Sequence, residues 1–215
     1  AQSMLYRLLE AGVKEASVYL LLADLYALQG LDEVALKYVE QARQLEPDNE
    51  DLLVALSELY ARLGRNSEAV AYLKQVKHPD LSSLVIRART LAQSGEFEAA
   101  YELYRQVLEQ SQLPEILFGC GMMAFHLGRL AEAEEYVERL LAADAEFVTA
   151  YPLLADIALA SGKSEKAIDA LKQYVTLSGF DSGQIRRLVG LLQQAGRYDE
   201  AKEYQTLYEQ WNVDE

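Results

Sequence analysis

The sequence predicts an all-α fold, a right-handed α-solenoid of tandem helix–turn–helix repeats. Two observations carry that prediction. Glycine recurs at Gly30, Gly64, Gly95, Gly128, Gly162 and Gly196, at spacings of 34, 31, 33, 34 and 34 residues. Five residues after each of them stands an alanine, at Ala35, Ala69, Ala100, Ala133, Ala167 and Ala201. A fixed period of this length marks a stack of supersecondary units rather than one globule.

Each unit opens with an apolar run of helical spacing, as in Leu20, Leu21, Ala23, Leu25, Tyr26 and Leu28. The glycine that follows suits the left-handed conformation that caps a helix C-terminus. Polar residues just beyond it, such as Asp32 or the pair Asn66 and Ser67, are candidate N-caps for a second helix. That helix repeats apolar side chains at intervals of three and four, for example Ala35, Leu36, Val39, Ala42 and Leu45. Seven residues before each glycine the side chain is small or modest: Ala23, Ser57, Ala88, Gly121, Ala155 and Val189. Facing the second-helix alanine, it lets the two helices approach closely, where a bulky group would force them apart. Pro47, Pro79 and Pro114 are expected to end the second helices of the early units and set the next turn. The expected organisation is a single array, with repeats at 16–49, 50–80, 81–113, 114–147, 148–181 and 182–215 and a half repeat at 1–15.

The segment from Ala16 to Asn49 resembles a tetratricopeptide repeat. Tyr19, Leu22, Ala23, Tyr26, Gly30, Ala35, Val39, Ala42 and Pro47 occupy its signature positions, with Tyr19 in place of the usual Trp. The second unit matches through Leu53, Leu56, Ser57, Tyr60, Gly64, Ala69, Leu73 and Val76, whereas later units place Leu91, Ala124, Ala158 and Leu192 at the large aromatic position. Carried backwards, the register puts Ala1 at the second-helix alanine, with Leu5 and Leu8 at the following core positions. Residues 1–15 therefore read as the second helix of a further repeat in a longer array, or as a lone capping helix. The final helix carries a polar face suited to a cap, and Trp211 is expected to pack back on it.

Composition limits the function classes. The chain of 215 residues is 51% hydrophobic and 25% charged, ordinary for a folded soluble domain. A net charge of −14 argues against nucleic acid and anionic membranes as partners, which need clustered Lys and Arg. The acidic residues read as a solvated face. The single Cys120 excludes an intrachain disulfide. No apolar run approaches the roughly eighteen residues of a membrane span. A cytoplasmic location is expected, with secreted or periplasmic placement left open because Ala1 is not Met.

No chemistry emerges from the motifs. His78, His126 and Cys120 lie in different units without metal-ligand spacing. The string Gly119, Cys120, Gly121 mimics a dinucleotide fingerprint but falls inside a first helix. Carboxylate pairs such as Glu134 with Glu135, or Glu98 with Glu102, are read as surface groups. No catalytic residue, metal or cofactor is expected.

The resemblance implies a protein-interaction scaffold or adaptor whose first helices line a concave surface for a peptide or helix of a partner. By position, the partner-binding candidates are Leu20, Val54, Val85 and Phe118 in one row, with Asp24, Glu58, Arg89, Met122 and Asp156 in a second. Phe125 and His126 extend the apolar face of the fourth unit. An amphipathic partner would set its apolar side on Phe118, Met122 and Phe125 and its basic side on Asp24, Glu58 and Asp156. Family members that grip acidic chaperone tails use a clamp of Lys, Asn and Arg. The matching positions here, Leu20, Asp24, Ala55, Ser82 and Ile86, have none of these. The alternatives are a structural module that self-associates into a homo-oligomer, or a regulatory part of a longer multidomain protein. The register itself is testable: Ala100→Leu should overpack the paired helices and destabilise by roughly 1–3 kcal/mol in chemical denaturation. An unchanged midpoint would show that the register is misplaced.

Overall fold

The computed structural model describes residues 2–178 and 181–212, with side chains of the last helix described as far as Glu209. Thirteen helices and no strand occur among these residues, the all-α solenoid class of helical repeats. The chain divides into two compact units, Ala1–Val107 and Leu108–Glu215. Unit 1 holds α1 (Gln2–Glu10), α2 (Ala16–Leu28), α3 (Asp32–Leu45), α4 (Glu50–Arg62), α5 (Asn66–Leu73) and α6 (Leu81–Gln93), and all but the last residue of α7 (Phe97–Leu108). Unit 2 holds α8 (Pro114–His126), α9 (Leu130–Ala143), α10 (Ala150–Ala160), α11 (Ser164–Ser178), α12 (Ser182–Gln194) and α13 (Tyr198–Asn212).

The recurring glycines end the first helices. Gly30 has φ +73°, and its N–H bonds to the Ala27 carbonyl at 3.0 Å while Leu31 N–H reaches the Tyr26 carbonyl at 2.9 Å. This is the paired closure of a left-handed helix end. The other five glycines of the series also have positive φ, between 71° and 80°.

The N-caps differ from expectation. Leu31 and Arg65 hold the N-cap positions of α3 and α5 and make no side-chain cap bond. Each is already committed to the glycine turn, so the helix starts directly after it. Asp32 and Asn66 consequently fall inside the first turn, where the Asp32 charge still favours the helix dipole. Side-chain caps serve first helices instead: Asn49 accepts from Asp51 N–H, Asp80 from Ser83 N–H, and Asp181 from Gly183 and Gln184. The prolines are similarly displaced. Pro47 follows the end of α3 as expected, but Pro79 precedes the cap of α6 and Pro114 is the first residue of α8. A proline costs no hydrogen bond at a helix start, because that N–H has no partner within the helix.

The core forms where the hairpin helices meet. Ala35, Ala69, Ala100, Ala133 and Ala167 are fully buried, as are Ala88 and Ala155 opposite them. Ser57 is also fully buried, its hydroxyl donating to the Val54 carbonyl at 2.7 Å. At Gly121 an added Cβ would stand 2.9 Å from Val137 Cγ2, so α8 and α9 approach especially closely. Cys120 lies fully buried beside it, inside α8.

Helix α1 departs from the expected core pattern. None of its residues is buried, and Leu8 is 38% exposed. The equivalent Val39 and Ala42 of α3 are covered by the first helix of their own hairpin, a cover that α1 lacks among the described residues. Tyr6 ties α1 down instead, its hydroxyl 2.5 Å from that of Tyr26 and 3.0 Å from that of Tyr38. The expected docking of Trp211 and the placement of Ala1 lie outside the described residues.

Two glycine substitutions separate backbone strain from packing. Apart from the chain neighbours and the local helix backbone, no atom lies within 4 Å of a Cβ added at Gly64 or at Gly190. Gly64→Ala would hold a side chain at positive φ, an expected loss of about 1–2 kcal/mol. Gly190→Ala, inside α12, should gain about 0.5–1 kcal/mol. Urea denaturation of both variants checks the opposite signs.

Candidate functional site

In unit 1 the first helices α2, α4 and α6 line a groove of about 690 Å³. Helix α2 contributes Asp24, Ala27 and Leu28, helix α4 contributes Ala55, Glu58 and Arg62, and helix α6 contributes Ile86, Arg89 and Gln93. The small side chains Ala27 and Ala55 leave the space open, and Leu28, 85% exposed, stands at its edge. Three sequence candidates, Asp24, Glu58 and Arg89, therefore share one site. Leu20, Val54 and Val85 are half-buried and stand outside its lining, one turn earlier on the same helices.

The charges of this groove are unequally committed. Arg62 Nη2 lies 2.7 Å from Asp32 Oδ1 and donates to the Ala27 carbonyl at 2.9 Å, so it clips one hairpin to the next. Arg89 Nη2 stands 3.6 Å from Glu58 Oε1, and both side chains are about half exposed. Asp24 makes no ion pair among the described residues.

In unit 2, α8 places Phe118, Met122 and Phe125 half-buried, with His126 exposed at its end. The Phe118 ring meets Phe147, in the turn between α9 and α10, at a centroid distance of 5.5 Å. Sequence reasoning missed Phe147 because turns lie outside the register used to find candidates. Asp156 is ion-paired with Arg187 of α12. Of the three acids expected to meet a basic partner, Glu58 and Asp156 thus already have cations from the following repeat. Their partners lie 31 residues on, beyond the reach of a local reading. Among the described residues no group of three His, Cys, Asp or Glu side chains is placed to hold a metal ion, and no helix is long and apolar enough to cross a membrane.

Family models described as tetratricopeptide repeat match residues 16–49, 33–90, 87–146 and 130–183. The chain belongs to the tetratricopeptide repeat family. The TPR repeat-containing protein YpiA of Bacillus subtilis is 29% identical over 189 residues, which cover 85% of this chain and 44% of that protein. The human Tetratricopeptide repeat protein 13 is 30% identical over 125 residues, covering 57% of this chain and 14% of that protein. The chain thus spans less than half the length of these relatives. Among solved structures, PilW, titled a widely conserved type IV pilus biogenesis factor, has a TM-score of 0.80 at 20% identity, covering 89% of this chain and 91% of that one. MamA 41-end from Desulfovibrio magneticus RS-1 has a TM-score of 0.69 at 22% identity, covering 78% of this chain and 97% of that one. At such identities the likeness is one of fold.

Other carboxylates of this tetratricopeptide chain hold its repeats together. Glu134, read from sequence as a surface group, is only 13% exposed and lies 2.6 Å from Lys163 Nζ and 2.5 Å from Lys166 Nζ. The difference arises because both lysines come from the next repeat. Further along, Arg197 lies 2.6 Å from Glu165 and 2.6 Å from Glu200, which also pairs with Lys172. The Lys163 and Lys166 ammonium groups hold the Glu134 carboxyl below its usual range, against the opposing effect of burial. Arg197 and Lys172 lower that of Glu200 to about 2. A carboxylate whose folded pKa is depressed stabilises the fold above its unfolded pKa and loses that effect as pH falls toward the folded value. The thermal midpoint should accordingly fall as pH drops from about 4.5 toward 2. A Glu134→Gln/Glu200→Gln variant should melt lower at pH 7 and show a shallower decline in acid, as read by circular dichroism.

Proposed function

We propose that this chain is a protein-interaction module that holds a peptide or helical segment of another protein in the groove of α2, α4 and α6. The observation that carries the reading is the groove itself, where three consecutive first helices turn small, apolar and charged side chains toward one open space. Its volume of about 690 Å³ suits a short run of side chains. Family membership supports a protein ligand. Apolar contacts would come from Ala27, Leu28, Ala55 and Ile86, and an attraction for a basic group from Asp24. In unit 2 the α8 face, with Phe118, Met122 and Phe125, offers a further apolar contact for the same class of partner.

The test compares proteins captured by the wild-type chain with those captured by Ala27→Arg/Ala55→Arg, which fills the groove. A Phe118→Ala/Phe125→Ala variant tests the α8 face separately. Loss of defined partners, with helicity and melting retained, is the expected result for the groove variant. Capture of the same proteins at the same yield would overturn the groove reading, and an unaffected Phe118→Ala/Phe125→Ala variant would remove the α8 face.

A second reading, self-association, draws on a different observation. Met4, Leu8, Leu21, Leu28 and Leu45 in the first three helices, and Leu31 in the turn between α2 and α3, are all exposed. Sedimentation at increasing concentration decides it. A concentration-independent monomer removes this reading.

A further inference from the structure

The groove of unit 1 carries its charges in a fixed order. Asp24 on α2, Glu58 on α4 and Arg89 on α6 hold the same register position in consecutive repeats and all line the groove. Arg62, the other cation there, is engaged by Asp32 and the Ala27 carbonyl. The Glu58–Arg89 contact is long, at 3.6 Å, and half exposed, so an incoming charge can replace it at little cost. Asp24 has no cation partner among the described residues. Packed helices stand about 8–10 Å apart, and an extended chain advances about 3.3 Å per residue. The step from one first helix to the next thus takes about three residues of extended ligand, and the span from Asp24 to Arg89 about six.

We propose that the groove accepts an extended peptide segment in one direction only. A Lys or Arg of the ligand lies between Asp24 and Glu58, and an Asp or Glu about four to five residues away lies on Arg89. Small or apolar side chains between them cover Ala27, Ala55 and Ile86. This inference rests on the reading of the groove as a protein-binding site and adds to it the order of charge in the ligand. In the accepted direction the ligand cation satisfies both carboxylates, and Arg89, released by Glu58, passes to the ligand carboxylate. The reversed direction sets a carboxylate beside Asp24 and Glu58 and a cation against Arg89, two like-charge encounters that reject it.

The full chain, immobilised at low ionic strength, is panned against a displayed library of random decapeptides, in parallel with Asp24→Lys and Arg89→Glu variants. Wild type is expected to enrich peptides carrying a basic and an acidic residue about four to five apart. Asp24→Lys should lose only the basic preference, and Arg89→Glu only the acidic one. Synthetic copies of the enriched peptides should bind at least about tenfold more weakly when their two charged residues are exchanged. Peptides without charge order that nevertheless lose binding to Ala27→Arg/Ala55→Arg would overturn the proposal and leave the groove reading standing. Peptides that still bind that groove-filled variant, or no enrichment by wild type, would overturn both. Circular dichroism of each variant checks that the fold is retained, as expected for the exposed Asp24 and Arg89.

Discussion

Two helices pack with their axes about 8–10 Å apart only where the side chains between them permit it, and the hairpins of this chain meet that condition at a recurring place. The second-helix alanine lies against a small side chain of the first helix, at Ala35 with Ala23 and again at Ala133 with Gly121. Because these contacts are fully buried, a larger group there would push apart helices that other hairpins pack upon. The surrounding leucines, such as Leu22, Leu56 and Leu188, are fully buried only because the helices stand this close. Stability in such an array comes chiefly from a hairpin and its neighbours.

Electrostatics follows the same nearest-neighbour rule. Glu134 reaches Lys163 and Lys166, Glu165 reaches Arg197, and Asp156 reaches Arg187, each pair joining one repeat to the next. A net charge of −14 would suggest a uniformly acidic surface. Several of the acids are instead paired with cations of the next repeat, so the excess negative charge presented to a partner is local rather than uniform. Within the unit 1 groove Asp24 is the carboxylate left uncommitted, beside a Glu58–Arg89 contact weak enough to be exchanged.

Division of labour between the two helices of a hairpin gives the fold its capacity to bind. In unit 2 the second helices carry much of the ion-pair network, so part of the first-helix surface is left for other uses. In unit 1 that surface is a groove floored by alanines, whose side chains neither fill the space nor need hydrogen-bond partners. Tetratricopeptide proteins of unrelated roles share this scaffold, and the role of this chain resides in the side chains that the scaffold presents.

The repeat, its period, the helix ends at the glycines and the buried alanines were legible in the sequence because each follows from contacts within one hairpin or from the backbone demand at Gly30 and its counterparts. Three of the candidate site residues, Asp24, Glu58 and Arg89, were found by the same register. Caps at Asn49, Asp80 and Asp181 were missed, because which side chain reaches a free N–H depends on how the turn approaches the helix. The burial of Glu134 and the ion pairs of Asp156 and Glu58 were also hidden, since their partners lie a full repeat away in sequence. Local periodicity thus determined which residues fold together. Only the stacking of one hairpin on the next decided which charges are spent inside the protein and which remain for a partner, because that choice depends on distances between helices that no single repeat contains.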